Sequence, residues 1–204
     1  METRRFDGEV GLSETCIALG LEESDNTSSS SGPPKVLPIV AYLLERTIRK
    51  NERLLRAKWS AEVDIITIFH GSKAPAMSVK QYVERIFRYL NCSTSCFVVA
   101  YIYIERFLQK RVGFYLTSLT VHRLLITSVM VAAKFLDVAS NNNAYYAKVG
   151  GVSTKEMNEL ELGFLFSLEF KLQVTAEDFA YYCRYLEKEG GSRRGEFWIE
   201  RRSS

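Results

Sequence analysis

Apolar and polar positions recur with a helical period along most of this chain. Leu37, Val40, Ala41, Leu44 and Ile48 fall at three- and four-residue steps and predict a helix from Val36 with one apolar face; Pro38 sits in its tolerated first turn. The opposite face is basic, with Arg46, Arg49, Lys50, Arg53, Arg56 and Lys58. Between Trp59 and Ala76 the pattern is open. Asp64 to Phe69 reads as a short helix or as an extended apolar piece, ended by His70-Gly71 and Pro75. Ser78 opens a second helix, with Gln81 completing a capping box and Met77 placed to staple onto Tyr82. Val79, Tyr82, Val83, Ile86, Phe87 and Leu90 form its apolar face.

Phe97 to Leu108 (FVVAYIYIERFL) is apolar on every side and rich in β-branched and aromatic residues. On its own it fits a buried strand. Its length and its helical neighbours favour a buried helix. Gln109 to Tyr115 reads as a loop. Thr117 to Val138 follows, with no charge from Leu124 to Ala133, and predicts a helix surrounded by others, capped by Thr117 or Ser118. A membrane span needs about 20 apolar residues, so this run belongs in a protein core.

Ser140 to Gly151 (SNNNAYYAKVGG) reads as a loop. Ser153 and Glu156 then form a second capping box, opening a helix that runs to about Leu168 and buries Met157, Leu160, Phe164, Leu165 and Leu168. Thr175 caps a last helix through Leu186, with Phe179, Tyr182 and Leu186 facing inward. The expected architecture is all-α: five helices around a buried central helix, with one additional helix preceding them. The domain is expected over residues 36–188. Residues 1–35 read as a disordered tail, because EESDNTSSSS is polar and low in complexity. Residues 189–204 read as a basic tail with one apolar cluster, Phe197-Trp198-Ile199.

Composition excludes more than it assigns. Net charge is +3, from 27 basic and 24 acidic residues, too balanced to demand nucleic acid or an anionic membrane. The N-terminus lacks the apolar run of an export signal. This predicts a reducing compartment, the nucleus or the cytoplasm, with Cys16, Cys92, Cys96 and Cys183 as free thiols. His70 and His122 are the only histidines and are expected to be structural or on the surface. Cys92-x3-Cys96 has no second ligand pair for zinc, and neither a phosphate loop nor a nucleophile elbow occurs. No cofactor or metal is expected, and a helical binding module is the default over an enzyme.

Two charges stand among core-type residues. Lys134 follows Ala132-Ala133, and Glu161 lies between Leu160 and Leu162. One reading makes Lys134 a partner of the helix dipole with its head in water, and Glu161 an exposed edge residue. The other brings both to one surface patch, where they bond a partner's backbone.

AAKFLD at 132–137, IYIERFL at 102–108 and LEFKL at 168–172 resemble a cyclin box. NCSTSCFVVAYIYIERF, HRLLITSVMVAAKFLD and NNAYYAKVGGVSTKEMNELE are similar to the plant U-type (P-type) cyclins, which resemble the fungal phosphate-pathway cyclins. The resemblance implies a non-catalytic subunit that binds a cyclin-dependent kinase, pushes its C-helix inward and completes its Lys–Glu ion pair. It implies a role in cell-cycle or phosphate-signalling control. By motif, the kinase-binding residues are Lys134 and Glu161, with Val131, Phe135, Leu165, Phe170 and Leu172 as apolar neighbours. Where other cyclins open the box with an apolar substrate-docking helix, this chain reads SVKQYVERIF, which argues against docking there. The family's arginine that pairs with an acidic residue has no clear equivalent here; Glu105 is a candidate for the acid, with Arg85 the weaker candidate opposite it. A competing reading is a cyclin-fold transcription or nucleic-acid-binding module, motivated by the basic face from Arg46 to Lys58.

Overall fold

The structure is a computed structural model. It describes residues 13–21, 32–57, 66–137 and 140–200, with side chains described to residue 191. Helix is the only regular secondary structure among these residues. Residues 13–19 form α1, followed by α2 (Val36–Ala57), α3 (Val79–Leu90), α4 (Ser95–Lys110), α5 (Val121–Leu136), α6 (Asn143–Gly150), α7 (Thr154–Ser167) and α8 (Ala176–Glu200).

The expected central helix is α5, and α4 lies beside it as a second fully enclosed helix. In α5 every residue from Leu124 to Ala133 is buried, and in α4 so is every residue from Cys96 to Ile104. Each fully buried Val, Leu or Ile contributes roughly 1.5–3 kcal/mol against exposure. The two polar side chains inside the α5 run are satisfied locally. Thr127 donates to the Arg123 carbonyl at 2.7 Å and Ser128 to the Leu125 carbonyl at 2.9 Å. The helix starts later than expected. Thr117 and Thr120 first make a turn, with the Thr117 N–H donating to Thr120 Oγ1 at 2.9 Å.

The capping box at Ser78 and Gln81 is complete. At Ser153 only half of one forms. Ser153 accepts from the Glu156 N–H, while the Glu156 carboxylate is taken by Arg123 Nε at 2.7 Å. The stretch expected as a loop before Ser153 contains α6. Asn142 caps it by accepting from the Tyr145 N–H at 3.0 Å, and Gly151 ends it at φ 75°. Its last carbonyls are bonded by α3: Tyr82 donates to Gly150 at 2.9 Å and Arg85 Nε to Val149 at 3.0 Å. Arg85 is therefore a helix-end partner and does not meet Glu105. Glu105 accepts instead from the hydroxyls of Tyr101 at 2.9 Å and Tyr182 at 3.3 Å.

Two expected tails carry structure. Within 1–35, α1 buries Leu19 and Cys16, and Thr15 donates to Glu187 at 2.9 Å. At the other end α8 continues past Leu186 to Glu200. Gly190-Gly191 does not break it, because Gly190 lies where α8 meets α2. A Cβ there would come within 2.6 Å of Ile39 Cδ1, and the neighbouring Glu189 pairs with Arg46 at 3.0 Å. Of the Asp64–Phe69 stretch, residues 66–69 form a coil and turn rather than a helix; Trp59, Asp64, Ile65 and the side chains of Phe197-Trp198-Ile199 lie outside the described residues.

Candidate docking surface

The two isolated charges of the sequence meet. Lys134 lies in the last turn of α5, just after the helix leaves the core, and Glu161 stands mid-way along α7. Lys134 Nζ donates to Glu161 Oε1 at 2.7 Å, with the two side chains 30% and 19% exposed. A third residue joins them. Asn143, the first residue of α6, accepts from Lys134 Nζ through Oδ1 and donates from Nδ2 to Glu161 Oε2 at 2.7 Å. The same Nδ2 donates to Asn158 Oδ1 at 2.7 Å. Charge-assisted bonds of this sort are the stronger class, and partial burial screens them less than open solvent does.

Large apolar side chains flank this polar centre. Phe135, Leu162, Phe166 and Phe170 are 51%, 53%, 61% and 56% exposed. On α7, Glu161 and Leu165 share one strip, and Leu162 and Phe166 occupy the next. Leu165 and Leu172 are partly buried against the core and support the exposed residues. Val131 is different. It lies inside the core at 3% exposure, because α5 surfaces only in its last turn, so it backs the patch and offers no contact of its own.

The end of α7 is shaped unusually. Glu169 and Phe170 both have left-handed backbones, at φ 53° and 57°. Their N–H groups close the helix, Glu169 onto Phe166 at 3.0 Å and Phe170 onto Leu165 at 2.9 Å. Such a cap is usually completed by glycine. Here Lys110 and Lys171, each 2.7 Å from the Glu169 carboxylate, hold its pKa down to about 2, so it stays ionised. The turn throws Phe170 back against Phe166.

Of the candidates read from the sequence, Lys134, Glu161, Phe135 and Phe170 lie at this surface; Leu162, Phe166, Asn143 and Asn158 were not among them. The spacing of Phe166 from Leu162 was the available signal; nothing in the asparagine run singled out Asn143. The histidines are structural. His70 Nδ1 lies 3.0 Å from the Thr67 N–H, and His122 Nε2 is 2.9 Å from the Met77 carbonyl. The basic face of α2 is partly neutralised, Arg46 by Glu189 and Arg56 by Glu52 at 3.8 Å. Lys58 lies outside the described residues. Among the described residues, no helix is long and apolar enough to cross a membrane.

Comparison with known proteins agrees with this architecture. The Cyclin family model matches residues 23–172. Cyclin-P3-1 of Oryza sativa subsp. japonica is 54% identical over 176 residues, covering 86% of this chain and 73% of the relative. Cyclin-U4-1 of Arabidopsis thaliana is 50% identical over 169 residues, covering 83% and 81%. Cyclin-U1-1 of Arabidopsis thaliana is 43% identical over 163 residues, covering 80% and 77%. With its helices wrapped around α5 and three-quarters of its length matched to one domain family, this chain belongs to the cyclins.

Proposed function

We propose that this chain is a non-catalytic regulatory subunit that binds and activates a cyclin-dependent serine/threonine kinase, in cell-cycle or nutrient (phosphate) signalling control. The observation that carries the reading is the Lys134–Glu161 pair, held at the surface beside Phe135, Leu162, Phe166 and Phe170. A satisfied polar centre with exposed aromatic neighbours fits a partner that offers an amphipathic helix and its backbone. Binding energy gained there would hold the kinase C-helix inward, closing the kinase's own Lys–Glu ion pair over ATP. The signalling context rests on the resemblance to the phosphate-pathway cyclins.

The test is a panel of purified monomeric cyclin-dependent kinases, scored for capture by this chain and for phosphorylation of a generic peptide. At least one kinase is expected to be captured and activated. Lys134→Ala with Glu161→Ala should then reduce capture by at least about tenfold while leaving the helical fold intact. Unchanged capture and activation by the double variant would sink the assigned interface.

A further inference from the structure

We propose that Asn143 is a positioning residue of the docking surface, holding Lys134 and Glu161 in an arrangement that leaves one donor and two acceptor sites open to a partner's peptide groups. This rests on the docking reading of the pair. An ammonium has three donors. Lys134 uses one on Glu161 Oε1 and one on Asn143 Oδ1, and the third has no acceptor among the described residues. Each Glu161 oxygen takes one bond, Oε1 from Lys134 and Oε2 from Asn143, and keeps a second lone-pair direction. A carboxamide suits the position between them. Its oxygen faces the cation and its N–H groups face the anion and Asn158, which no single charged side chain does.

Asn143 is itself held firmly. It begins α6, whose far end is bonded to α3 through Tyr82 and Arg85. Asn158, one turn before Glu161 on α7, takes its remaining N–H. Without the amide, Lys134 is free to extend into solvent or close fully onto Glu161. A partner must then order both side chains on binding. The helix survives the loss of Asn143, since Asn142 supplies the cap and alanine is the best helix former.

The experiment titrates the full chain against the kinase most strongly activated in the panel above. Asn143→Ala is expected to weaken affinity by about five- to tenfold without lowering the melting temperature appreciably. In a Lys134→Ala, Glu161→Ala background the same change should add nothing, and Asn143→Gln, which keeps the amide, should recover part of the loss in the parent. Full affinity in Asn143→Ala, with Lys134→Ala still weakening capture, would overturn the positioning role and leave the docking reading standing. A loss that persists undiminished in the doubly substituted background would also overturn it, because Asn143 would not be acting through the Lys134–Glu161 pair. If Lys134→Ala and Glu161→Ala themselves change nothing, the docking reading fails and this inference falls with it.

Discussion

The ring of Phe170 stands edge-on to that of Phe166, their centroids 5.2 Å apart, and each ring is more than half exposed. The arrangement is not what stability alone would favour. Phe170 holds a left-handed backbone at φ 57°, which costs a non-glycine residue about 1–2 kcal/mol. The exposed rings return little of that through burial. Phe170→Gly should therefore leave stability within about 1 kcal/mol of the parent, relief of the backbone offsetting the lost ring contact and the added unfolded-state freedom. Kinase capture should fall at least about tenfold, as for a buried aromatic anchor. Chemical denaturation and a pull-down titration on the same preparation separate the two effects. Undiminished capture would remove Phe170 from the interface.

Exchanging the charges of the central pair separates folding from recognition. Lys134→Glu with Glu161→Lys keeps a cation and an anion in contact but reverses which helix donates. Such a partly exposed pair contributes only about 0–1 kcal/mol, so unfolding should shift by no more than that. Capture should still be lost by at least about tenfold, because a partner's carbonyl would now meet a carboxylate where an ammonium stood. If the swapped chain activates kinase normally, the pair serves only the fold.

The sequence made the centre of this domain legible and its edges less so. The uncharged run from Leu124 to Ala133 is a helix enclosed on all sides, as its pattern requires. Phe97 to Leu108 was ambiguous, since a fully buried segment has no periodicity to distinguish strand from helix; tertiary context decides it. The helix α6 was hidden because three asparagines precede its short apolar set of Tyr146, Ala147 and Val149. Residues 189–204 read as a tail, yet α8 runs on within them to Glu200, and Gly190 permits its close approach to Ile39. Lys134 and Glu161 were visible as two misplaced charges. Their contact, and the amide of Asn143 between them, depends on how α5, α6 and α7 meet, which no local pattern encodes.

Tyr103 ties the core to the docking surface. Its ring is fully buried in α4, and its hydroxyl donates to the Leu172 carbonyl at 2.6 Å, two residues beyond Phe170. Burial pushes its pKa up to about 12, so the hydroxyl remains a donor at any physiological pH. Tyr103→Phe keeps the ring and removes the bond. The cost should be about 1–2 kcal/mol, the net bond plus a carbonyl left unsatisfied. Hydrogen exchange at the backbone amides of residues 170–172 should quicken with it, and capture should weaken modestly. Unchanged exchange there would show that the turn is held by its own backbone bonds alone.

His122 should make stability depend on pH below neutrality. Its Nε2 lies 2.9 Å from the Met77 carbonyl and so carries the proton, leaving Nδ1 buried without a partner. Tyr82 covers the ring at 4.7 Å, with Arg85 and Arg123 close enough to that tyrosine to act on its charge. A second proton would put a charge on this partly buried ring, and burial lowers its pKa below the ordinary 6.5. Between the lowered and the ordinary values the unfolded chain binds more protons than the folded one. The neutral ring's contribution is therefore present in full above pH 6.5 and is lost as pH falls through and below that value. His122→Gln retains an N–H for Met77 and cannot titrate. From about pH 7.5 to about pH 5.5, urea midpoints of the parent should fall more steeply than those of the variant, by at most about 1.4 kcal/mol per pH unit. Parallel profiles would mean that His122 is protonated as readily in the folded chain as in the unfolded one.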